Sequence, residues 1–308
     1  MRRLTVDAAA PQVVAVVGPT AAGKSDLGVA LARALRGEVV NADSMQLYRG
    51  MDVGTAKLPE SERAGIAHHL LDVWEVTQTA SVAEYQRLAR AAIDAILARG
   101  RVAVLVGGSG LYVRAAVDDL SFPGTDPAVR ARLEAEAQAL GAPALHDRLR
   151  ALDPAAAARI LPTNARRVVR ALEVVELTGR PFAAALPGPR AVYDVAVLGV
   201  HVAVDALDRR IERRVERMWE RGFPAEVRAL VGRGLREGRT ASRALGYAQL
   251  LRHLDGDCSE EQARAETVAA TRRFARRQRS WFRRDPRVRW LPAGPALPQA
   301  ALAAVRRW

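Results

Sequence analysis

One octapeptide constrains this chain more than anything else in it. Gly18-Pro19-Thr20-Ala21-Ala22-Gly23-Lys24-Ser25 fits G-x-x-x-x-G-K-[ST] completely. That pattern carries meaning only where a strand ends and a helix begins. The flanks supply both: residues 12–18 are a short apolar run ending in glycine, and residues 23–36 carry Leu27, Ala30, Leu31 and Ala34 at helical spacing. The glycines let backbone N–H groups converge on phosphate oxygens, and the helix N-terminus adds positive potential. Lys24 supplies a point charge, and the Ser25 hydroxyl suits a Mg²⁺ ion. The chain is therefore expected to bind a polyphosphate, ATP among the candidates.

The rest of the chain extends this beginning. Residues 38–40 read as a second strand, ending at Asn41-Ala42-Asp43-Ser44. Ser81-Val82-Ala83-Glu84 is a capping box that opens a helix to about residue 99. Residues 101–106 form an apolar strand that stops at Gly107-Gly108-Ser109-Gly110. Alternating strand and helix predict a parallel sheet. After Phe122-Pro123-Gly124 the pattern changes, and residues 126–179 show only helical periods. A Pro/Gly-rich stretch at 181–189 precedes another strand at 195–202, and helices run from about 207 to 284. The expected architecture is an α/β, P-loop NTPase-like core (1–122 and 191–308) interrupted by an all-helical insertion (123–190).

Composition narrows the function classes. No run of about 20 apolar residues lacks charge, which predicts no spanning helix. Residues 1–7 lack the apolar core of a signal peptide, and the lone Cys258 can form no internal disulfide. A cytoplasmic, monomeric protein is expected. The net charge of +13 favours a polyanionic partner, RNA or DNA before a membrane. Lys+Arg is 47, yet only Lys24 and Lys57 are lysines. A basic position in this chain is arginine by default, so lysine at position 24 marks a place where a compact ammonium matters.

The strand at 101–106 runs into Gly107-Gly108 with no acid to help hold a metal. The acid instead follows the second strand, at Asp43, a better place for a group acting on an acceptor substrate. Arg210 and Arg214 lie four apart, flanking a stripe of Ile211, Val215 and Met218. Between residues 271 and 290 there are nine arginines and one acid, Asp285. Such asymmetry predicts a phosphate-contacting surface that includes Arg276 and Arg277. Thr267, Thr271, Phe274, Gln278 and Trp281 share one helical stripe, which predicts core positions for Phe274 and Trp281. His68-His69 cannot easily chelate one ion, because neighbours on a strand face opposite ways.

Taken in order, these segments resemble a known family over nearly the whole chain, the tRNA dimethylallyltransferases. The matches are Gly18–Ser25; Asn41-Ala42-Asp43-Ser44-Met45-Gln46-Leu47-Tyr48; Met51-Asp52-Val53-Gly54-Thr55-Ala56-Lys57; His68-His69-Leu70-Leu71-Asp72; and Gly107-Gly108-Ser109-Gly110-Leu111-Tyr112. Asn164-Ala165-Arg166-Arg167-Val168-Val169-Arg170-Ala171-Leu172-Glu173, Ser242-Arg243-Ala244-Leu245-Gly246-Tyr247 and Arg276-Arg277-Gln278-Arg279-Ser280-Trp281-Phe282-Arg283 complete the set. Ser109 stands where the family usually has Thr, and the hydroxyl survives.

The resemblance implies two substrates, dimethylallyl diphosphate and a tRNA anticodon stem-loop, with Mg²⁺. It implies a diphosphate site of Gly18, Pro19, Thr20, Ala21, Ala22, Gly23, Lys24 and Ser25, joined by Arg214 or Arg210, with Ser25 as metal ligand. It implies Asp43 as the base that orients the adenine amine, with Thr20, Lys24 and Ser109 as further catalytic groups. For tRNA it implies Asp43, Ser44, Met45, Gln46, Ser109, Arg130, Arg166, Arg167, Val168, Val169, Arg170, Arg243, Gly246, Tyr247, Arg276, Arg277, Gln278 and Trp281. A related enzyme acting on free AMP, ADP or ATP would share the P-loop and Asp43 but would not need the basic segments.

Overall fold

A computed structural model describes residues 11–182 and 186–308. The reading made on residues 1–7, and part of the 181–189 stretch, lie outside these residues. Six parallel strands form one sheet: β1 (Val13–Val17), β2 (Glu38–Asn41), β3 (His68–His69), β4 (Ala103–Gly107), β5 (Val195–His201) and β6 (Val288–Pro292), in the order β3-β2-β4-β1-β5-β6. Every residue of β1 is fully buried. A strand covered on both faces reads as an unbroken apolar run rather than an alternation.

The core helices are α1 (Lys24–Ala34), α2 (Val82–Ala98) and α3 (Gly110–Val117). One apolar cluster joins Val14 and Val16 of β1 to Leu27 and Leu31 of α1. The same cluster takes in Leu207, Ile211, Ala275, Ala301 and Val305 from helices later in the chain. Helices α2 and α3 pack on each other through Tyr85 and Tyr112, whose ring centroids are 4.5 Å apart.

The chain divides into two compact units, Met1–Asp119 with Ala191–Trp308, and Leu120–Arg190. The second unit comprises α4 (Pro127–Leu140), α5 (Ala142–Leu152), α6 (Pro154–Ala157) and α7 (Ala165–Thr178). Asp126, Asp153 and Asn164 cap three of these helices. Leu133, Leu149, Val168 and Leu172 give the unit its own core. In the first unit, Asp118 and Ala191 form an antiparallel bridge, and the Val192 N–H donates to the Val117 carbonyl at 2.9 Å. The core chain thus departs and returns at one point.

The remaining helices are α8 (Val204–Glu220), α9 (Phe223–Val231), α10 (Tyr247–Leu254), α11 (Glu260–Phe282) and α12 (Leu297–Val305). Strand β6 and helix α12 have no counterpart in the sequence reading, which ends its elements at 284. Arg289 and the terminal Pro292 disguise β6, yet Val288 and Leu291 are buried. From β1 the chain crosses to β2 on one side, whereas the path from β4 leads to β5 on the other. The crevice outside neighbouring β1 and β4 is therefore the switch point where α/β sheets bind ligands.

Candidate active site

The phosphate loop follows β1 and opens α1, as its pattern requires. Ala21 adopts a left-handed φ of 60° and Gly23, at the helix N-cap, one of 92°. Lys24 donates its ammonium to the Pro19 carbonyl at 2.7 Å. Desolvation at the floor of the cleft pushes the Lys24 pKa down to about 8, with the Arg214 charge adding to the shift and Asp43 opposing it.

A cleft of about 670 Å³ opens here. Ala21, Gly23, Lys24 and Ser25 line one wall, and Arg210, Arg213, Arg214 and Arg217 of α8, with Arg221 at its C-cap, line another. Arg214 donates to the Thr55 carbonyl at 2.9 Å, and Arg210 to the Ala22 carbonyl at 3.5 Å. Burial lowers the Arg214 pKa, with Asp43 opposing. The structure thus gathers Lys24, Ser25, Arg210 and Arg214 along one cleft.

Asp43 sits where β2 ends. One carboxylate oxygen accepts the Met45 N–H at 2.9 Å, so the residue does shape a turn. Its own N–H donates to Asn41 Oδ1 at 2.9 Å, and Asn41 Nδ2 donates to the Asp43 and Leu70 carbonyls. Among the described residues no hydrogen bond engages the second Asp43 oxygen. Ser109, after β4, lies beside it: the Ser44 N–H donates to Ser109 Oγ at 3.4 Å, and the two hydroxyls are also 3.4 Å apart. Asp43, Ser44 and Ser109 are therefore one cluster, and the Asp43 charge reaches both Lys24 and Arg214. Met45 and Gln46 are half-buried in the same turn, with Gln46 Nε2 donating to the Thr55 carbonyl at 3.3 Å.

Several residues expected to meet RNA are interior instead. Gln278 is 5% exposed, accepts the Thr20 N–H at 2.8 Å and donates to the Gly108 carbonyl at 3.0 Å. Val168 and Val169 lie in the core of the second unit, on the inward face of α7. Tyr247 is fully buried and donates its hydroxyl to Glu226 at 2.6 Å, while Gly246 packs under Phe223. The expected burial of Trp281 is also corrected. It is 39% exposed, whereas its neighbour Phe282 is 3% exposed and Phe274 is half-buried. The core-facing line of α11 keeps Thr271 and Gln278 of the stripe read from sequence but takes Ala275 and Phe282 in place of Phe274 and Trp281.

Glu226 is a residue the sequence reading missed. Its carboxylate accepts backbone N–H bonds from Asp52 at 3.0 Å, Val53 at 2.6 Å and Gly54 at 3.1 Å. No local pattern marks it, because the three N–H groups it holds lie more than 170 residues away. It fixes the loop that carries Thr55 and Lys57. Lys57 is buried and donates to Asp52, Asp72 and the Tyr48 carbonyl, so the second lysine holds a loop.

The arginine-rich segment divides. Arg272 pairs with Glu212, Arg276 with Asp208 at 3.3 Å, and Arg287 with Asp118 and Asp285. Arg277 lies over the Phe274 ring. No ion pair engages Arg273, Arg279, Arg283, Arg284 or Arg289 among the described residues. Arg243 is exposed. In the second unit, Arg166 and Arg167 are exposed, but Arg130 and Arg170 both clasp Glu173, a fully buried carboxylate. His69 bonds Glu38 at 2.6 Å, and His68 donates to the Ile66 carbonyl at 2.9 Å.

A family model described as IPP transferase matches residues 46–285, well over half of the chain. The chain belongs to the IPP transferase family. The matched span begins just past the phosphate loop and Asp43, so those two features stand on their own geometry. A curated IPP transferase relative from Streptomyces avermitilis, named tRNA dimethylallyltransferase, is 69% identical over 302 residues, covering 97% of each chain. One of the same name from Thermobifida fusca is 65% identical, covering 95% of this chain and 94% of its own. Among solved structures, the tRNA isopentenylpyrophosphate transferase of Bacillus halodurans matches with a TM-score of 0.71 and 39% identity, over 96% of this chain and 97% of that one. A eukaryotic dimethylallyltransferase acting on tRNA matches with a TM-score of 0.79 and 25% identity, over 94% and 77%. Among the described residues no helix is long and apolar enough to cross a membrane.

Proposed function

We propose that this chain transfers a dimethylallyl group from dimethylallyl diphosphate to the exocyclic N6 amine of the adenine 3′ of the anticodon in tRNA, releasing pyrophosphate. The observation that carries this reading is the placement of the Lys24–Arg214 anion site and the Asp43–Ser109 cluster at one switch point of the sheet. The allylic carbon–oxygen bond breaks as the nitrogen–carbon bond forms. Negative charge grows on the leaving pyrophosphate, and Lys24, Arg214, Arg210 and the loop N–H groups stabilise it. The amine is a weak nucleophile because its lone pair is delocalised into the ring. Asp43 orients it and accepts its proton, help typically worth about 10²–10⁴-fold. Thr20 and Ser109 place the two halves, and Ser44, Met45 and Gln46 form the wall beside the base.

Mg²⁺ suits this donor set. No group of three acidic, histidine or cysteine side chains gathers among the described residues, and Mg²⁺ characteristically binds through few protein ligands plus substrate phosphates. Ser25 and the diphosphate oxygens would hold it, and it would neutralise charge on the leaving group. On this reading Arg166, Arg167, Arg243, Arg277 and Trp281 meet the RNA, with Arg130, Arg170 and Arg276 serving it from their ion pairs. The protein acts as a cytoplasmic monomer.

The test is labelled dimethylallyl diphosphate incubated with tRNA, with AMP, or with no acceptor. Label is expected in tRNA alone. Label in AMP and none in tRNA would move the reading to free adenine nucleotides.

A further inference from the structure

Gln278 joins the two loops that flank the switch point. The loop after β1 presents a donor, the Thr20 N–H, 2.8 Å from Oε1. The loop after β4 presents an acceptor, the Gly108 carbonyl, 3.0 Å from Nε2. A neutral amide both donates and accepts through one planar group, whereas a carboxylate cannot donate and an ammonium cannot accept. Asparagine is one methylene shorter. The fit is close on the far side as well. A Cβ added at Gly108 would stand 2.2 Å from Gln278 Nε2, and one at Gly110 would stand 2.0 Å from Trp281 Nε1. Residues 278 and 281 are neighbours on a helical surface, so one stretch of α11 braces both loops.

Under the function proposed above, these loops carry opposite halves of one reaction. Thr20 belongs with the departing pyrophosphate, and Ser109 with Asp43 and the incoming amine. We propose that Gln278 is a positioning residue that sets the separation of the two halves, and so governs the rate of prenyl transfer rather than the binding of either substrate. The inference rests on that functional reading. In-line attack needs reacting atoms about 3–3.5 Å apart, and about 1 Å of misplacement can cost on the order of 10²-fold. Arg279 lies on the same helix and Arg283 at its C-cap, so the basic element is itself bolted to the phosphate loop.

The experiment uses the full chain with dimethylallyl diphosphate and tRNA. Gln278→Met keeps length and volume but removes both hydrogen bonds. Its kcat is expected to fall roughly 10–100-fold, the scale of such misplacement, with both KM values changing less than about threefold. Gly108→Ala attacks the same brace from the other side. Its methyl would meet the end of the Gln278 side chain at 2.2 Å and, less tightly, the Gly18 carbonyl at 3.2 Å, so most of the displacement falls on the flexible amide. It should show the same kcat loss, and the double variant should be no slower than the worse single one. Amide exchange at Thr20 should quicken in all three. Wild-type protein that prenylates no tRNA would end the functional reading. Wild-type transfer matched by Gln278→Met, a loss confined to KM, or additive losses in the double variant would overturn the positioning role.

Discussion

Lys24 curls back to donate its ammonium to the Pro19 carbonyl, 2.7 Å away in the same loop. The cation is thus held in place before any phosphate arrives. Its pKa is lowered to about 8 by desolvation. Below that pH the charge is present and the diphosphate meets it directly. Above it, binding must include uptake of a proton, so affinity falls as pH rises. Calorimetric titration of dimethylallyl diphosphate between pH 7 and pH 9.5 should show Kd rising above pH 8, by at most about tenfold per pH unit for one proton. Lys24→Met should bind weakly at every pH and lose this dependence.

Asp43→Asn keeps the Met45 N–H bond through its amide oxygen and discards the base. Single-turnover transfer to tRNA should slow by about 10²–10⁴-fold, with diphosphate and tRNA affinity near normal. Wild-type turnover in this variant would remove Asp43 from the chemistry.

Arg214 and Arg210 should separate cleanly. Arg214 shares the field of Asp43 and Lys24, whereas Arg210 makes only a 3.5 Å bond to the rim of the loop. Arg214→Met is expected to cost at least tenfold more in kcat/KM for the diphosphate than Arg210→Met, a gap of about 1.4 kcal/mol in transition-state stabilisation. Steady-state kinetics on the two variants settles the order.

The salt dependence of tRNA binding should follow the division of the arginines. Replacing Arg279, Arg283 and Arg284 with Gln should flatten the slope of log K against log salt, by about 0.7–0.9 for each RNA phosphate that is no longer neutralised. Replacing Arg272, already paired with Glu212, should change it far less. Filter binding between about 50 and 200 mM salt distinguishes the two sets.

Arg287 bonds both oxygens of Asp118, which is 1% exposed. Arg287→Ala leaves that carboxylate with Arg114 alone and loosens the β6 edge. A stability loss on the order of 3 kcal/mol is expected, seen as a lower urea midpoint, with diphosphate affinity little changed.

The half of the site built by local chemistry was legible in the sequence. Gly18–Ser25 dictates its own loop, and the apolar runs at 12–18 and 101–106 mark the strands that aim it. Asp43 could be placed because it ends a strand. The half built by distant contacts was not legible. Helical spacing puts Gln278 on one stripe with Thr271 and Trp281, but only the packed helix shows its amide turned to Thr20 and Gly108. Glu226 had no signal at all, since three N–H groups from residues 52–54 define its role. The arginine count was read correctly as asymmetric along the chain, but Glu212, Asp208 and Asp118 neutralise part of it across helices.

The bridge between Asp118 and Ala191 has an entropic meaning. Because these ends of the core meet, the whole of Leu120–Arg190 acts on the core as one closed loop. Closure cost grows only logarithmically, about 0.6 kcal/mol per doubling of length. The core is therefore nearly indifferent to how long the excursion is. Insertions and trimmings in the helical unit can accumulate while the sheet, the phosphate loop and Asp43 keep their register.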